Sequence, residues 1–122
     1  MSLPSALPSA LPFSKTRAAA GLLFVSGELP LQEDGSIPEG IEAQTALTLE
    51  RIANTLRAQG LALADVVSVT AYLVDPADFA AFNRVYAAAF PEPRPVRTTV
   101  RTDLMLPGAK LELTVIAAQA PR

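Results

Sequence analysis

Apolar residues along this chain alternate with polar ones, then recur every three or four positions, then alternate again, and each change of period marks a new element. Phe13 to Ala19 and Leu22 to Leu29 read as two strands joined by a tight turn at Ala20-Gly21, where glycine supplies a backbone conformation costly for other residues. The acidic stretch Gln32 to Gly40 reads as a loop. Ile41, Thr45, Leu49, Ile52 and Leu56 then mark one face of a helix, with Glu42, Glu50, Arg51 and Arg57 elsewhere on it and Gly60 as its terminator. Val66 to Leu73 is apolar at nearly every position, which predicts a strand buried on both faces. Asp75-Pro76 opens a second helix, Asp75 as N-cap and Pro76 at the first helical position. Phe79, Phe82, Tyr86 and Phe90 form its apolar stripe, and Pro91-Glu92-Pro93 stops it. Val96 to Asp103 and Lys110 to Ala118, separated by a Pro107-Gly108 turn, read as the closing strands.

The predicted order is β-β-α-β-α-β-β, an α+β domain with one sheet. Two helices cover only one face of such a sheet, so the other face is polar or meets an apolar partner. On the last strand Leu111, Leu113, Val115 and Ala117 point one way, and Glu112, Thr114, Ile116 and Ala118 the other. A carboxylate among apolar groups is the pattern expected of a subunit interface that contains a site, which favours a closed homo-oligomer. Ahead of the domain, SLPSALPSALP places a proline every four residues, which blocks both helix and sheet. Residues 1–12 therefore read as a flexible Pro-rich leader and 13–122 as a single domain.

Composition narrows the chemistry. The chain has 122 residues, enough for one core, and contains no His and no Cys. That excludes a histidine base, a thiol nucleophile and the usual Zn²⁺ or Fe–S ligand sets, so catalysis would run on Arg, carboxylates, hydroxyls, backbone and water. A net charge of −2 and a pI near 5.0 give no reason to expect a nucleic-acid partner. The one dense basic run, Arg94, Arg97 and Arg101, lacks the interleaved aromatics of an RNA surface. No stretch approaches the roughly 20 apolar residues that span a bilayer, and the N-terminal residues do not read as a signal peptide, so a soluble cytoplasmic protein is expected.

The residues suited to chemistry cluster late in the chain. Arg97 shares a strand face with Thr99 and Arg101, and its fork of donors matches a carboxylate bidentately, as in binding a small 2-oxo or 2-imino acid; the same residue also fits an interface ion pair. Glu112 sits in an otherwise apolar strand expected to neighbour that of Arg97. There burial would raise its pKa and the Arg would lower it, either as a proton carrier for bound water or as a partner fixing register. Ser26-Gly27 at a strand end offers a hydroxyl and close backbone approach. Asn83 flanks the aromatic stripe, and Phe13 is either core or a pocket wall.

Phe24-Val25-Ser26-Gly27-Glu28-Leu29-Pro30, Gln44-Thr45, Gln59-Gly60-Leu61, Asp65-Val66-Val67, Asp78-Phe79 with Phe82-Asn83-Arg84-Val85-Tyr86, Pro95-Val96-Arg97-Thr98-Thr99-Val100 and Leu111-Glu112-Leu113 together resemble the motifs of the reactive intermediate deaminase family. That family is also called YjgF or Rid and is often labelled endoribonuclease L-PSP. The resemblance runs from Pro12 to Ala118. It implies a chorismate-mutase-like fold with two helices on one face of a mixed sheet, and a homotrimer with clefts between subunits. It also implies cofactor-free hydrolysis of enamines and imines of the 2-aminoacrylate and 2-iminopropanoate type to 2-oxo acids and ammonia. By the same resemblance Arg97 matches a carboxylate-binding Arg, Glu112 the acidic residue near the attacking water, and Ser26, Gly27 and Asn83 other pocket positions. Phe13 stands where many members have Tyr, and Thr99 where Cys is frequent, its backbone still able to serve. Glu28 adds a charge near the hairpin end, and Thr114 replaces a second Glu. A non-catalytic small-acid-binding or regulatory trimer, and a ribonuclease or translation inhibitor, are the alternative functions.

Overall fold

The computed structural model describes residues 11–119, so the leader expected over 1–12 lies almost wholly outside them. Strands β1 (Thr16–Ala19) and β2 (Leu22–Glu28) form a hairpin, followed by helix α1 (Ile41–Arg57), strand β3 (Val66–Leu73), helix α2 (Phe79–Ala89) and strands β4 (Val96–Arg101) and β5 (Leu111–Ala118). The predicted order therefore stands, with shorter first and fourth strands. The hairpin turn places both Ala20 (φ 55°) and Gly21 (φ 78°) in the left-handed region, as a two-residue turn matched to strand twist requires. The second helix opens through a 3₁₀ turn at Pro76–Asp78, with Asp75 Oδ1 accepting from the Ala77 N–H at 2.9 Å.

The strands assemble into one mixed sheet in the order β1-β2-β5-β3-β4. β4 runs parallel to β3 because the chain returns through α2, while the other neighbours are antiparallel. The register sorts side chains into rows. Val25, Val115, Val69 and Arg97 align on the helix-covered face, as do Leu113, Ala71 and Thr99, and then Leu111, Leu73 and Arg101. Phe24, Ile116, Ser68 and Val96 align on the opposite face, with Thr114, Thr70 and Thr98, and then Glu112, Tyr72 and Val100.

The core lies between the first set of rows and the helices. Ile52, Leu56, Phe82, Leu111, Leu113 and Ala117 are fully buried, and Ile41, Thr45 and Leu49 complete the predicted face of α1. Burial on this scale, about 1.5–3 kcal/mol for each large apolar side chain, orients both helices on one face. Gln44 links α1 to the start of β5: its amide donates to the carbonyls of Pro38 and Gly108 and accepts from the Lys110 N–H at 2.8 Å. One expectation fails. β3 buries Val66, Val69, Ala71 and Leu73 on the helix side only, while Val67 is exposed and Ser68, Thr70 and Tyr72 are half-buried. Two helices leave the second face bare, and Phe24, Val96 and Val100 stand exposed on it.

Candidate active site

β3 lies between β4 and β5, so the strands carrying Arg97 and Glu112 are not neighbours, contrary to expectation. The register also puts the two residues on opposite faces: Arg97 aligns with buried Val69, Glu112 with Tyr72. Within one protomer the guanidinium and the carboxylate cannot serve one substrate. Each instead heads its own group of side chains.

On the helix side, the Arg97 side chain crosses from edge strand β4 onto α2. Its guanidinium carbon lies 4.6 Å from the ring centre of Tyr86, 5.3 Å from Phe82 and 5.7 Å from Phe79. These residues sit one or two helical turns apart, so the stripe read as core also forms a shelf whose π faces hold the cation. Among the described residues Arg97 makes no ion pair and no side-chain hydrogen bond. Two polar atoms beside it are buried without partners, Tyr86 Oη and Thr99 Oγ1. Burial pushes the Tyr86 hydroxyl pKa up, opposed by the positive charges of Arg97 and Arg94. Asn83, half-buried, lies on α2 one turn from both Phe79 and Tyr86. A planar cation with uncommitted donors, next to unpaired hydroxyls, is suited to an oxyanion ligand.

On the open face, Glu112 packs against Gly27. A β-carbon added at Gly27 would overlap Glu112 Oε2, so only glycine lets the carboxylate lie there. A β-bulge creates this contact: Val25 pairs with Val115 and Glu28 with Leu113, so β2 spends one residue more than β5 between these pairs. Ser26 Oγ donates to the Ser14 carbonyl at 2.6 Å and the Ser26 N–H to the Lys15 carbonyl at 2.9 Å, which anchors the segment from Phe13 beside the bulge. Phe13 is 58% exposed and so is not part of the core. Burial, and secondarily the negative charge of Glu28, raise the Glu112 pKa above the ordinary carboxylate value. The Arg expected to oppose this rise is on the other face.

Sequence reasoning missed the environment of Glu28. The bulge turns it to the helix side, where it is 3% exposed and accepts from Lys15 Nζ and Arg51 Nε, both at 2.7 Å. Arg51 Nη1 also donates to the Leu31 carbonyl at 2.7 Å. The signal available in the sequence was Arg51, one turn from buried Thr48 on α1. The aromatic shelf could have been found from the i, i+3, i+7 spacing of Phe79, Phe82 and Tyr86.

The fold and these two groups of residues define a small α+β protein with an uncommitted guanidinium on the helix-covered face of its sheet and a carboxylate of raised pKa on the open face. Residues 4–119 match the family model described as Endoribonuclease L-PSP, and the chain belongs to that family, the YjgF/Rid proteins. It is 38% identical over 118 residues to the 3-aminoacrylate deaminase RutC of Acinetobacter baylyi, covering 94% of each chain. It is 39% identical over 113 residues to the chloroplastic Reactive Intermediate Deaminase A of Arabidopsis thaliana, covering 90% of this chain and 60% of that protein. Among solved structures, that of E. coli TdcF with bound serine superposes with a TM-score of 0.83 at 30% identity over 90% of each chain. A chloroplastic relative means that membership does not fix a compartment. No helix among the described residues is long and apolar enough to cross a membrane.

Proposed function

We propose that this protein hydrolyses reactive 2-imino and 2-enamine acids, of the 2-iminopropanoate and 2-aminoacrylate type, to 2-oxo acids and ammonia. The site is assembled between two copies of the chain in a homotrimer: Arg97, Thr99 and Asn83 come from one copy, and Glu112, Ser26, Gly27 and Phe13 from its neighbour. The observation that carries the reading is the uncommitted Arg97 guanidinium on its aromatic shelf beside two unpaired buried hydroxyls. Relatives named for deamination of aminoacrylate and of reactive intermediates support the chemistry. The apolar open face, which carries Glu112 and on which Phe24, Val96 and Val100 are exposed, supports the assembly.

Arg97 holds the substrate carboxylate through two charge-assisted hydrogen bonds and so places C2. Glu112 takes a proton from a water as its oxygen bonds to C2. The bound imine is N-protonated, so the C=N π pair passes to nitrogen and leaves a neutral carbinolamine beside protonated Glu112. Glu112 gives that proton to the amino group; as the C–N bond breaks, the hydroxyl becomes the C=O and its proton returns to the Glu112 carboxylate, which passes it to the departing ammonia, so that ammonium and the 2-oxo acid leave. A carboxyl with a raised pKa suits both directions of transfer, and general acid–base help of about 10²–10⁴-fold fits a reaction that already proceeds in water. An enamine enters the same sequence after proton transfer to its terminal carbon.

The test is release of ammonia and 2-oxo acid from 2-iminopropanoate generated in situ by an amino-acid oxidase, comparing wild type with Arg97→Ala. Acceleration by wild type that the substitution abolishes is expected; a folded wild type no faster than buffer rejects the reading. The solved TdcF relative with bound serine favours a second reading, a small-acid-binding trimer without turnover. In that case wild type binds 2-oxo acids, binding falls in Arg97→Ala, and Glu112→Gln has no activity to lose.

A further inference from the structure

The row that carries Arg97 and Thr99 continues to Arg101, and there a cavity of about 260 Å³ opens between the edge strand and the start of α2. Its walls are Leu73, Pro76, Phe79, Thr99, Val100 and Arg101. The Phe79 ring is common to this cavity and to the shelf under Arg97, 5.7 Å from that guanidinium, so the two spaces adjoin. Thr99 Oγ1, buried without a hydrogen-bond partner, stands between them. Among the described residues Arg101 makes no ion pair and no side-chain hydrogen bond. Of the carboxylates at this corner, Asp75 accepts from the Ala77 N–H, and Asp78 Oδ2 is paired in charge with Lys110 Nζ at 3.9 Å but accepts no hydrogen bond. An apolar slot adjoining one free guanidinium and ending at another is an unusual use of charge for a site that takes only a methyl or ethyl side chain.

We infer that this cavity receives the side chain of the substrate and that Arg101 selects a second carboxylate, making short dicarboxylic 2-imino acids and enamines the preferred substrates. The inference rests on the deaminase reading. Arg97 and Arg101 lie on the same face of one strand, and the Arg97 guanidinium already rests against Phe79, the ring that also walls the cavity lined by Arg101, so a substrate held by Arg97 at one carboxylate can extend its other end toward Arg101. Leu73, Pro76 and Phe79 line the path of the intervening methylenes. Arg101 is thus a specificity residue: it touches the far end of the substrate and leaves the chemistry at C2 to the groups already described.

The test compares kcat/KM for 2-iminosuccinate and 2-iminoglutarate, generated from D-aspartate and D-glutamate by D-aspartate oxidase, with that for 2-iminopropanoate from D-alanine. Wild type, Arg101→Gln and Arg101→Lys are each followed by ammonia release. Wild type is expected to favour the dicarboxylic imines, and Arg101→Gln to lower the dicarboxylic-to-monocarboxylic ratio by about 10- to 100-fold, as loss of a hydrogen-bonded charge implies. Arg101→Lys, which keeps the charge but not the fork, should retain part of the preference. Turnover of 2-iminopropanoate with no dicarboxylic preference, or a ratio unmoved by Arg101→Gln, overturns the inference and leaves the deaminase reading intact. No acceleration on any of the three imines overturns both.

Discussion

Two inactive variants of this protein should restore each other. Arg97 and Glu112 lie on opposite faces of one sheet, so a site that uses both takes them from different chains. Arg97→Ala removes two charge-assisted bonds, each worth about 1.5–3 kcal/mol, so alone it should retain about 1% of wild-type kcat/KM or less. Glu112→Gln keeps the shape but cannot accept a proton and should lose about 10²-fold or more. Unfolding the two together in equal amounts and refolding them gives random rings. In a ring, each site takes one half from each of two adjacent chains, so about one quarter of sites combine an intact Arg97 with an intact Glu112. The mixture should therefore recover about a quarter of wild-type deaminase activity, well above either variant alone, while the same variants refolded separately and then combined stay low until subunits exchange. Recovery no greater than the average of the two variants, with the refolded assembly shown to contain both chains, would refute the division of the site between copies.

Three further outcomes follow from particular contacts. Gly27→Ala pushes a methyl group onto Glu112 Oε2 and should cost about 1–3 kcal/mol in denaturant unfolding while displacing the carboxylate and depressing kcat; unchanged kcat would mean that Glu112 need not lie against the bulge. Glu28→Gln leaves the partly exposed Arg51 without its counter-charge and should destabilise by about 1–3 kcal/mol, whereas Lys15→Ala, whose side chain is 52% exposed, should cost no more than about 1 kcal/mol; equal losses would sink the assignment of Glu28–Arg51 as the dominant pair. On the proposed mechanism Glu112 acts in its ionised form, and its pKa is raised, so kcat/KM should fall with decreasing pH through a value above that of an ordinary glutamate, and Glu112→Gln should lack that limb; a limb at or below the ordinary value contradicts the role given to burial.

Periodicity by itself determined which segments are helices and strands, because burial against a single core imposes a repeat of two on a half-buried strand and of 3.6 on a helix. The face of α1 from Ile41 to Leu56 and the alternation of Leu111, Leu113, Val115 and Ala117 with Glu112 and Thr114 were both readable in that way. The motifs around Arg97 and Glu112 pointed to the same residues that the structure sets in distinctive surroundings. Tertiary structure decided how those residues relate. The return through α2 places β4 on the outer side of β3 and β5 pairs with the inner side, and the registers of those pairings, Arg97 against Val69 and Glu112 against Tyr72, put residues only fifteen positions apart on opposite faces. Nothing in local alternation specifies which edge a strand joins; that choice comes from long-range pairing. The bulge in β2 is of the same kind: one extra residue between Val25 and Glu28 buries a glutamate that strict alternation assigns to the open face and sets Gly27 against Glu112. A pattern of two cannot announce its own interruption, since the extra residue is defined only by the partner strand that fails to match it.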